Sequence, residues 1–489
     1  MKLKALIQGM SFEANNENLD IEVNGIAYDS RKIKDEYIFV AIKGYVVDGH
    51  EYIESAIDNG AKTIILEELP SIKREGVVYI KVEDSRKALS LVSCNFFDDP
   101  SSKVNVIGIT GTNGKSSICH MINDGIKGLG KSTGVLGTIG NFIGDKKYPT
   151  EVTTPESFEI HSFVNDMIEL EADNLLMEVS SHSLDLARVE DIKFDVGVFT
   201  NLTRDHLDFH NTMENYYQAK KKLFTMTSKG NVINIDDEYG KRLYDELIAE
   251  GRKSYSYSIN EKADFYADNI VLKSTGTNFT LVYDEKELDL YIPIPGRIYV
   301  YNALATIASY IVLGYDLSDV KKAFEFISPV KGRLESVDND REISILVDYS
   351  HTPDSLKNVL LVSREFTDGR LISVFGCGGN RDKTKRPIMG RISEELADIS
   401  IVTSDNPRFE EANDIIDDIL EGMDSNDENV IIEPDRKMAI EKAISISKAG
   451  DSIVIAGKGH EDYQIIKGVK FHLDDREVVE NYLKGGIND

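Results

Sequence analysis

Short apolar runs, each closed by a glycine or an acidic break, recur along the first hundred residues: 38–42 (IFVAI) and 63–66 (TIIL) read as strands of a compact α/β unit. Residues 98–103 (DDPSSK) carry turn formers and a proline and read as a linker. Beyond it the pattern changes. Strand-like runs at 104–110, 175–179, 196–200 and 231–235 alternate with helical periodicity, beginning with a helix from about Ser116. Such alternation predicts a parallel sheet wrapped by helices. Residues 263–294 alternate polar and apolar positions and predict an antiparallel patch, followed by a helix over 302–313 and a boundary at 327–332. Strands at 344–347, 371–375, 399–403 and 452–456 then predict a second α/β sheet, and the acidic run 421–428 reads as a solvated loop.

With 489 residues the chain exceeds what one core holds, about 250–300 residues. The pattern divides it into three α/β domains: 1–99, a central P-loop domain with a parallel sheet over 100–328, and a Rossmann-like domain over 329–489. The longest apolar runs fall short of the roughly 20 residues a membrane span needs, and the N-terminus lacks an apolar segment followed by a cleavage site. Three scattered cysteines without CxxC spacing fit a reducing compartment and argue against a zinc site, so the expected location is the cytoplasm. The net charge of −28 disfavours a nucleic-acid or anionic-membrane surface. Any anionic ligand must then be met locally, which makes each glycine-rich loop with a lysine more informative.

One such loop runs Gly111-Thr112-Asn113-Gly114-Lys115-Ser116-Ser117, between an apolar strand and a helix. Its glycines let backbone N–H groups approach a triphosphate, Lys115 neutralises the outer phosphates, and Ser116 suits Mg2+ at a helix N-terminus. The generic P-loop pattern fails by one residue, because Ile109 stands where its first glycine belongs. Glu178, at the end of the predicted strand 175–179, is placed to hold Mg2+, since ligands of open parallel sheets collect at the carboxyl ends of strands.

The variant TGTNGKS is the loop of Mur ligases and their folate-tailing relatives, and further motifs follow in family order across nearly the whole chain. Asp29-Ser30-Arg31, 39–44 (FVAIKG) and Asp48-Gly49-His50 come first. Thr153-Thr154-Pro155, 178–183 (EVSSHS) with Arg188, 200–208 (TNLTRDHLD) and 217–220 (YQAK) come next. Together they resemble the MurE group of that family. The resemblance implies a UDP-binding first domain with Ser30 on the nucleotide, and Thr153, Thr154, Ser180 and Arg188 on the muramoyl peptide. It implies that Lys115, Glu178, His206 and Lys220 are catalytic, with Ser116, Glu178, His206 and Lys220 around Mg2+ and Lys220 carbamylated. Asn302, Arg333 and Asp348 correspond to further ATP contacts. One departure stands out: Leu186 occupies a position that is often polar in the family.

The last domain carries 378–382 (GGNRD), Asp405-Asn406-Pro407-Arg408 and 457–461 (GKGHE). By resemblance these choose the amino acid, and a DNPR element ending in Arg408 implies meso-diaminopimelate, with Arg381, Gly457 and Glu461 also in contact. Arginine pairs bidentately with a carboxylate, and lysine would leave it unpaired. The implied reaction is ATP-dependent ligation of meso-diaminopimelate to UDP-N-acetylmuramoyl-L-alanyl-D-glutamate through an acyl phosphate, by a monomer. The alternatives are L-lysine as the added residue, a folate-tailing ligase, or a non-catalytic Mur-like binder; the last would have lost Lys115, Glu178, His206 or Lys220, and all four are present.

Overall fold

The computed structural model describes residues 1–16, 19–44, 47–138, 140–150, 152–329, 331–424 and 426–485. The expected boundary at 327–332 and the acidic run 421–428 therefore contain Val330 and Ser425, which lie outside the described residues. Two compact units emerge, one of Met1–Tyr266 with Leu304–Phe326, the other of Ala267–Ala303 with Ile327–Asp489.

The first unit holds two sheets. Near the N-terminus, strands Gly25–Ala27, Tyr37–Val40, Ala61–Leu66 and Val78–Lys81 pair in parallel in that order, and Glu13–Ala14 closes the edge antiparallel. Both faces are apolar, so a core lies on each side: Leu3, Ile26, Val40 and Leu89 on one, Phe39, Ile64, Leu66 and Tyr79 on the other. The second sheet centres on Asn105–Thr110, flanked in parallel by Phe194–Phe199 and Asn174–Glu178. Thr227–Asn234 extends it on one side and Thr133–Leu136 on the other. These strands are continuous buried runs, as expected of a parallel sheet covered on both faces. An antiparallel hairpin, Asn141–Ile143 with Lys146–Tyr148, was not foreseen because its strands are too short to show an alternating pattern.

Helix Lys115–Gly128 starts directly after left-handed Gly114 and buries Ile118, Met121, Ile122 and Ile126 at helical spacing. Gly125 allows Tyr310 to approach, and the Tyr310 hydroxyl donates to the Ile122 carbonyl at 2.9 Å. The P-loop helix is thereby fixed against the later part of the same unit.

The second unit is built on a six-stranded sheet in the order Glu335–Ser336, Ser344–Asp348, Ser452–Ala456, Leu371–Phe375, Ile399–Val402, Val430–Ile432. All but the first strand run parallel. Cores on both faces, one around Leu346, Phe375 and Ile416 and the other around Ile345, Ile372 and Ile440, define a doubly wound layer. Inserting the last parallel strand beside the first creates a crossover point at the carboxyl ends, where such sheets take ligands. The predicted antiparallel patch is present as Gly276–Tyr283 paired with Lys286–Ile292. Among the described residues no helix is long and apolar enough to cross a membrane.

Candidate active site

The phosphate loop follows strand Asn105–Thr110 and is braced by the loop after Phe194–Phe199. The Thr112 amide donates to the Asn201 carbonyl at 2.9 Å and the Asn113 amide to Asn201 Oδ1 at 2.9 Å. Thr200 Oγ1 donates to the Asn113 carbonyl at 2.6 Å. Gly111 has φ 144°, and a Cβ there would stand 1.9 Å from Thr200 Oγ1, so glycine is required by backbone and by space. Lys115 Nζ donates to the carbonyls of Gly111 and Thr112 at 2.9 and 2.8 Å, and burial lowers its pKa.

Glu178 ends the neighbouring strand and is 2% exposed. Its carboxylate accepts from Ser116 Oγ at 2.8 Å, from the Thr138 amide at 3.0 Å and from Thr138 Oγ1 at 3.1 Å. Ser116 and Glu178 together offer only oxygen, the donor set Mg2+ selects, and that ion ordinarily fills the rest of its shell with phosphate oxygens and water. The pair therefore fits the expected Mg2+. The sequence does not mark Thr138, which stands forty residues before Glu178 with no motif around it.

Lys220, buried on helix Met213–Lys221, donates to the Gly111 carbonyl at 3.0 Å and lies 4.7 Å from the centre of the Tyr216 ring. Burial, and then the Lys115 charge, push its pKa well down. The basic triplet 220–222 is thus split: Lys220 faces inward, while Lys221 pairs with Glu246 and Glu250. His206 is half exposed, with φ 51°. Its ring centre is 4.9 Å from that of His182.

Thr153, Thr154, Ser180, Arg188 and His206 line one cleft of about 520 Å³, together with Leu186. Thr154 Oγ1 donates to the Glu178 carbonyl at 2.8 Å and accepts from the Ser180 amide at 3.1 Å, which ties this cleft to the strand end beneath it. Ser30, with Phe39, Ile42, Gly44 and Gly49, lines a separate cleft of about 470 Å³. The N-terminal motifs thus converge on one surface.

In the second unit, Asp405, Asn406, Pro407 and Arg408 follow strand Ile399–Val402, and Gly457 follows Ser452–Ala456. All lie at the carboxyl ends. Arg408 adopts φ 55°, its amide donates to Ile465 O and its Nη1 to Gly379 O at 2.8 Å. Asn406 Nδ2 donates to Glu461 at 2.9 Å, and Asn406 Oδ1 accepts from the Ile465 amide. Gly457 has φ 124°, a backbone conformation that favours glycine, and a Cβ there would stand 2.6 Å from Asp405 Oδ2. Lys458, fully buried, lies 3.6 Å from Glu461 and donates to the Tyr463 carbonyl. Arg381 is exposed beside Gly378.

Asp348 is buried at the end of its strand, accepts from the Leu334 amide at 2.7 Å, and burial raises its pKa. Arg333 stands over the Tyr349 ring, 5.7 Å from its centre. Asn302 is buried within helix Arg297–Leu313. These three residues and the phosphate loop belong to different units.

A glycine-rich strand-to-helix loop, an oxygen-only carboxylate site beside it and two neighbouring clefts mark an α/β enzyme of the P-loop type. The chain belongs to the Mur ligase family, whose members are ATP-dependent ligases. The family's catalytic domain matches residues 22–97, its middle domain 109–310 and its glutamate ligase domain 332–459. The chain is 47% identical to UDP-N-acetylmuramoyl-L-alanyl-D-glutamate--2,6-diaminopimelate ligase of Clostridioides difficile over 99% of both chains. It is 46% identical, over 99% of both chains, to the ligase of that name numbered 1 from Clostridium acetobutylicum. A solved structure of a UDP-N-acetylmuramoyl-L-alanyl-D-glutamate--2,6-diaminopimelate ligase superposes with TM-score 0.81 at 30% identity, covering 99% of each chain. MurF from Acinetobacter baumannii, at 19% identity and TM-score 0.60 over 93% of this chain and 95% of its own, shares the fold.

Proposed function

We propose that this enzyme joins meso-diaminopimelate to UDP-N-acetylmuramoyl-L-alanyl-D-glutamate at the expense of ATP. The observation that carries this reading is the full-length likeness to diaminopimelate ligases, at 47% identity, in a chain that also presents Arg408 at the crossover of its last sheet. Three domains, 1–99, 100–328 and 329–489, divide the work: the first takes the UDP moiety on Ser30, the second ATP and the peptide, the third the amino acid.

The γ-phosphoryl group of ATP passes to a side-chain carboxylate oxygen of the D-glutamyl residue, with ADP leaving. The amine of diaminopimelate then attacks the acyl carbon, loses a proton, and phosphate departs as the amide forms. Gly111–Ser117 cradle the triphosphate, with Lys115 on its outer phosphates. Asn302, Arg333 and Asp348 make the remaining nucleotide contacts. Mg2+ held by Ser116, Glu178, His206 and the carbamate of Lys220 would neutralise charge between ATP and the carboxylate. Thr153, Thr154, Ser180 and Arg188 orient the peptide so that its carboxylate stands in line, which converts binding into rate.

On the amino-acid side, Arg408 and Arg381 take carboxylates, while Asp405, Asn406, Gly457 and Glu461 surround ammonium. This polarity favours diaminopimelate over L-lysine, which lacks the second carboxylate. Phosphate release from ATP, Mg2+ and the UDP-muramoyl dipeptide, with either amino acid in parallel, tests the reading. Turnover with diaminopimelate alone is expected. Preference for lysine would overturn the specificity, and silence with both would overturn the ligase reading for this substrate.

A further inference from the structure

We infer that Glu156 is a positioning residue that sets the peptide-binding Arg188 and links it to the nucleotide cleft; this rests on the function proposed above. Glu156 occupies the N-cap position of helix Ser157–Glu169, where a side chain would ordinarily accept from the helix's first amides. It makes no such bond. Its carboxylate is turned instead to two guanidinium groups. Arg188 Nε lies 2.9 Å from Oε1, and Arg86 Nη1 lies 3.3 Å from both oxygens. The three side chains are 17–18% exposed.

The consequences follow from charge and connectivity. Two cations face one anion, so the cluster keeps one positive charge in a chain whose balance is −28. That surplus sits where an acidic ligand would pass. Arg86, Glu156, Tyr28 and Ser30 border the nucleotide cleft, while Arg188 borders the peptide cleft with Thr154 and Ser180. A third cleft of about 540 Å³ shares Tyr28 and Glu156 with the former and Arg188 with the latter. Arg188 Nη1 also donates to the Thr154 carbonyl at 3.0 Å. Arg188 thus has a hydrogen-bonded anchor at Nη1 and an ion-pair partner at Nε, and the carboxylate that supplies the second also contacts Arg86. Three residues on, Glu159 accepts from the Tyr28 hydroxyl at 3.0 Å, so the start of this helix meets the N-terminal segment twice, at Arg86 on helix Ser85–Phe96 and at Tyr28. A guanidinium fork aligned in advance loses less freedom on meeting a carboxylate.

The test is calorimetric binding of UDP-N-acetylmuramoyl-L-alanyl-D-glutamate to the full chain, with steady-state kinetics alongside. Glu156→Gln is expected to weaken binding about 10- to 100-fold, leaving saturated kcat within about 3-fold and the KM for ATP within about 2-fold. Glu156→Asp, which keeps the charge on a shorter stem, is expected to fall between Gln and wild type, and it decides the matter if Glu156→Gln does not fold. Unchanged binding in the variant that folds, or a loss of kcat without a loss of affinity, overturns the role of Glu156. Failure of the wild type to bind the ligand would instead overturn the functional reading itself.

Discussion

Lys115 and Lys220 donate to the same acceptor, the carbonyl oxygen of Gly111, at 2.9 and 3.0 Å. Two ammonium groups converging on one dipole in a buried setting disfavour both charges. Burial is the first cause for each, and the Lys115 charge is the second cause for Lys220. The group better able to shed its proton is Lys220.

A neutral buried amine adds CO2 readily, and the carbamate that forms is an anion beside Lys115 in place of a second cation. Labelling with 13C-bicarbonate is expected to give one protected carbamate resonance that Lys220→Ala removes. The same variant is expected to lose about 10²- to 10³-fold in kcat, the scale of a lost electrostatic group in an active site. A wild-type enzyme with no carbamate signal under turnover conditions would count against the modification.

His161 gives a pH dependence with a definite sign. It is fully buried on helix Ser157–Glu169 with neither ring nitrogen hydrogen-bonded, and burial lowers its pKa to about 4. Between the ordinary 6.5 and about 4 the unfolded chain binds a proton that the native chain refuses. The stability this neutral ring contributes is complete above 6.5 and is lost as pH falls through that window, by up to about 3 kcal/mol. Urea unfolding at several pH values is expected to show this slope in the wild type and a shallower one in His161→Leu. Equal slopes would exclude His161 as the cause.

Much of this architecture could be read from the chain because buried parallel strands are largely apolar runs: 175–179 and 371–375 mark the strands found at Asn174–Glu178 and Leu371–Phe375. The phosphate loop was legible because its chemistry is local, with every essential group inside one short segment. What escaped was mostly non-local, along with hairpin strands too short to show a pattern. The pairing of Ser452–Ala456 between two earlier strands has no signature in either segment. Hairpin Tyr463–Ile466 with Val469–His472 was not foreseen, although Gly468 marks its turn. Glu156 was passed over because Arg86, which gives it meaning, lies seventy positions earlier.

Arg436 and Asp475 form an ion pair with both side chains fully buried, Nε to Oδ1 at 2.8 Å and Nη2 to Oδ2 at 2.6 Å. Arg436 Nη2 also donates to the Ala456 carbonyl at 3.0 Å, just before Gly457. Removing one partner leaves an uncompensated charge in the core. Asp475→Asn is expected to destabilise by about 3–5 kcal/mol, whereas an apolar double replacement such as Arg436→Met with Asp475→Leu should recover much of it. Denaturant melts of the three proteins distinguish these cases, and a single variant as stable as the wild type would refute the argument.

Arg408 is the proposed reader of the amino acid's second carboxylate, and its backbone permits a clean substitution. At φ 55° most side chains are strained, but asparagine tolerates the left-handed region, so Arg408→Asn removes the guanidinium without forcing the loop. One arm of the fork is tied to the Gly379 carbonyl, which fixes the plane in which a carboxylate would be met. Loss of a charged hydrogen-bond partner of about 1.5–3 kcal/mol corresponds to a rise of roughly 10- to 100-fold in KM for meso-diaminopimelate. L-lysine has no second carboxylate to lose, so its weaker turnover should change little and the preference between the two should narrow. Steady-state kinetics with both amino acids read this directly. If KM for diaminopimelate stays at the wild-type value, Arg408 does not read the carboxylate, and specificity must be sought in Arg381 and the loop after Ser452–Ala456.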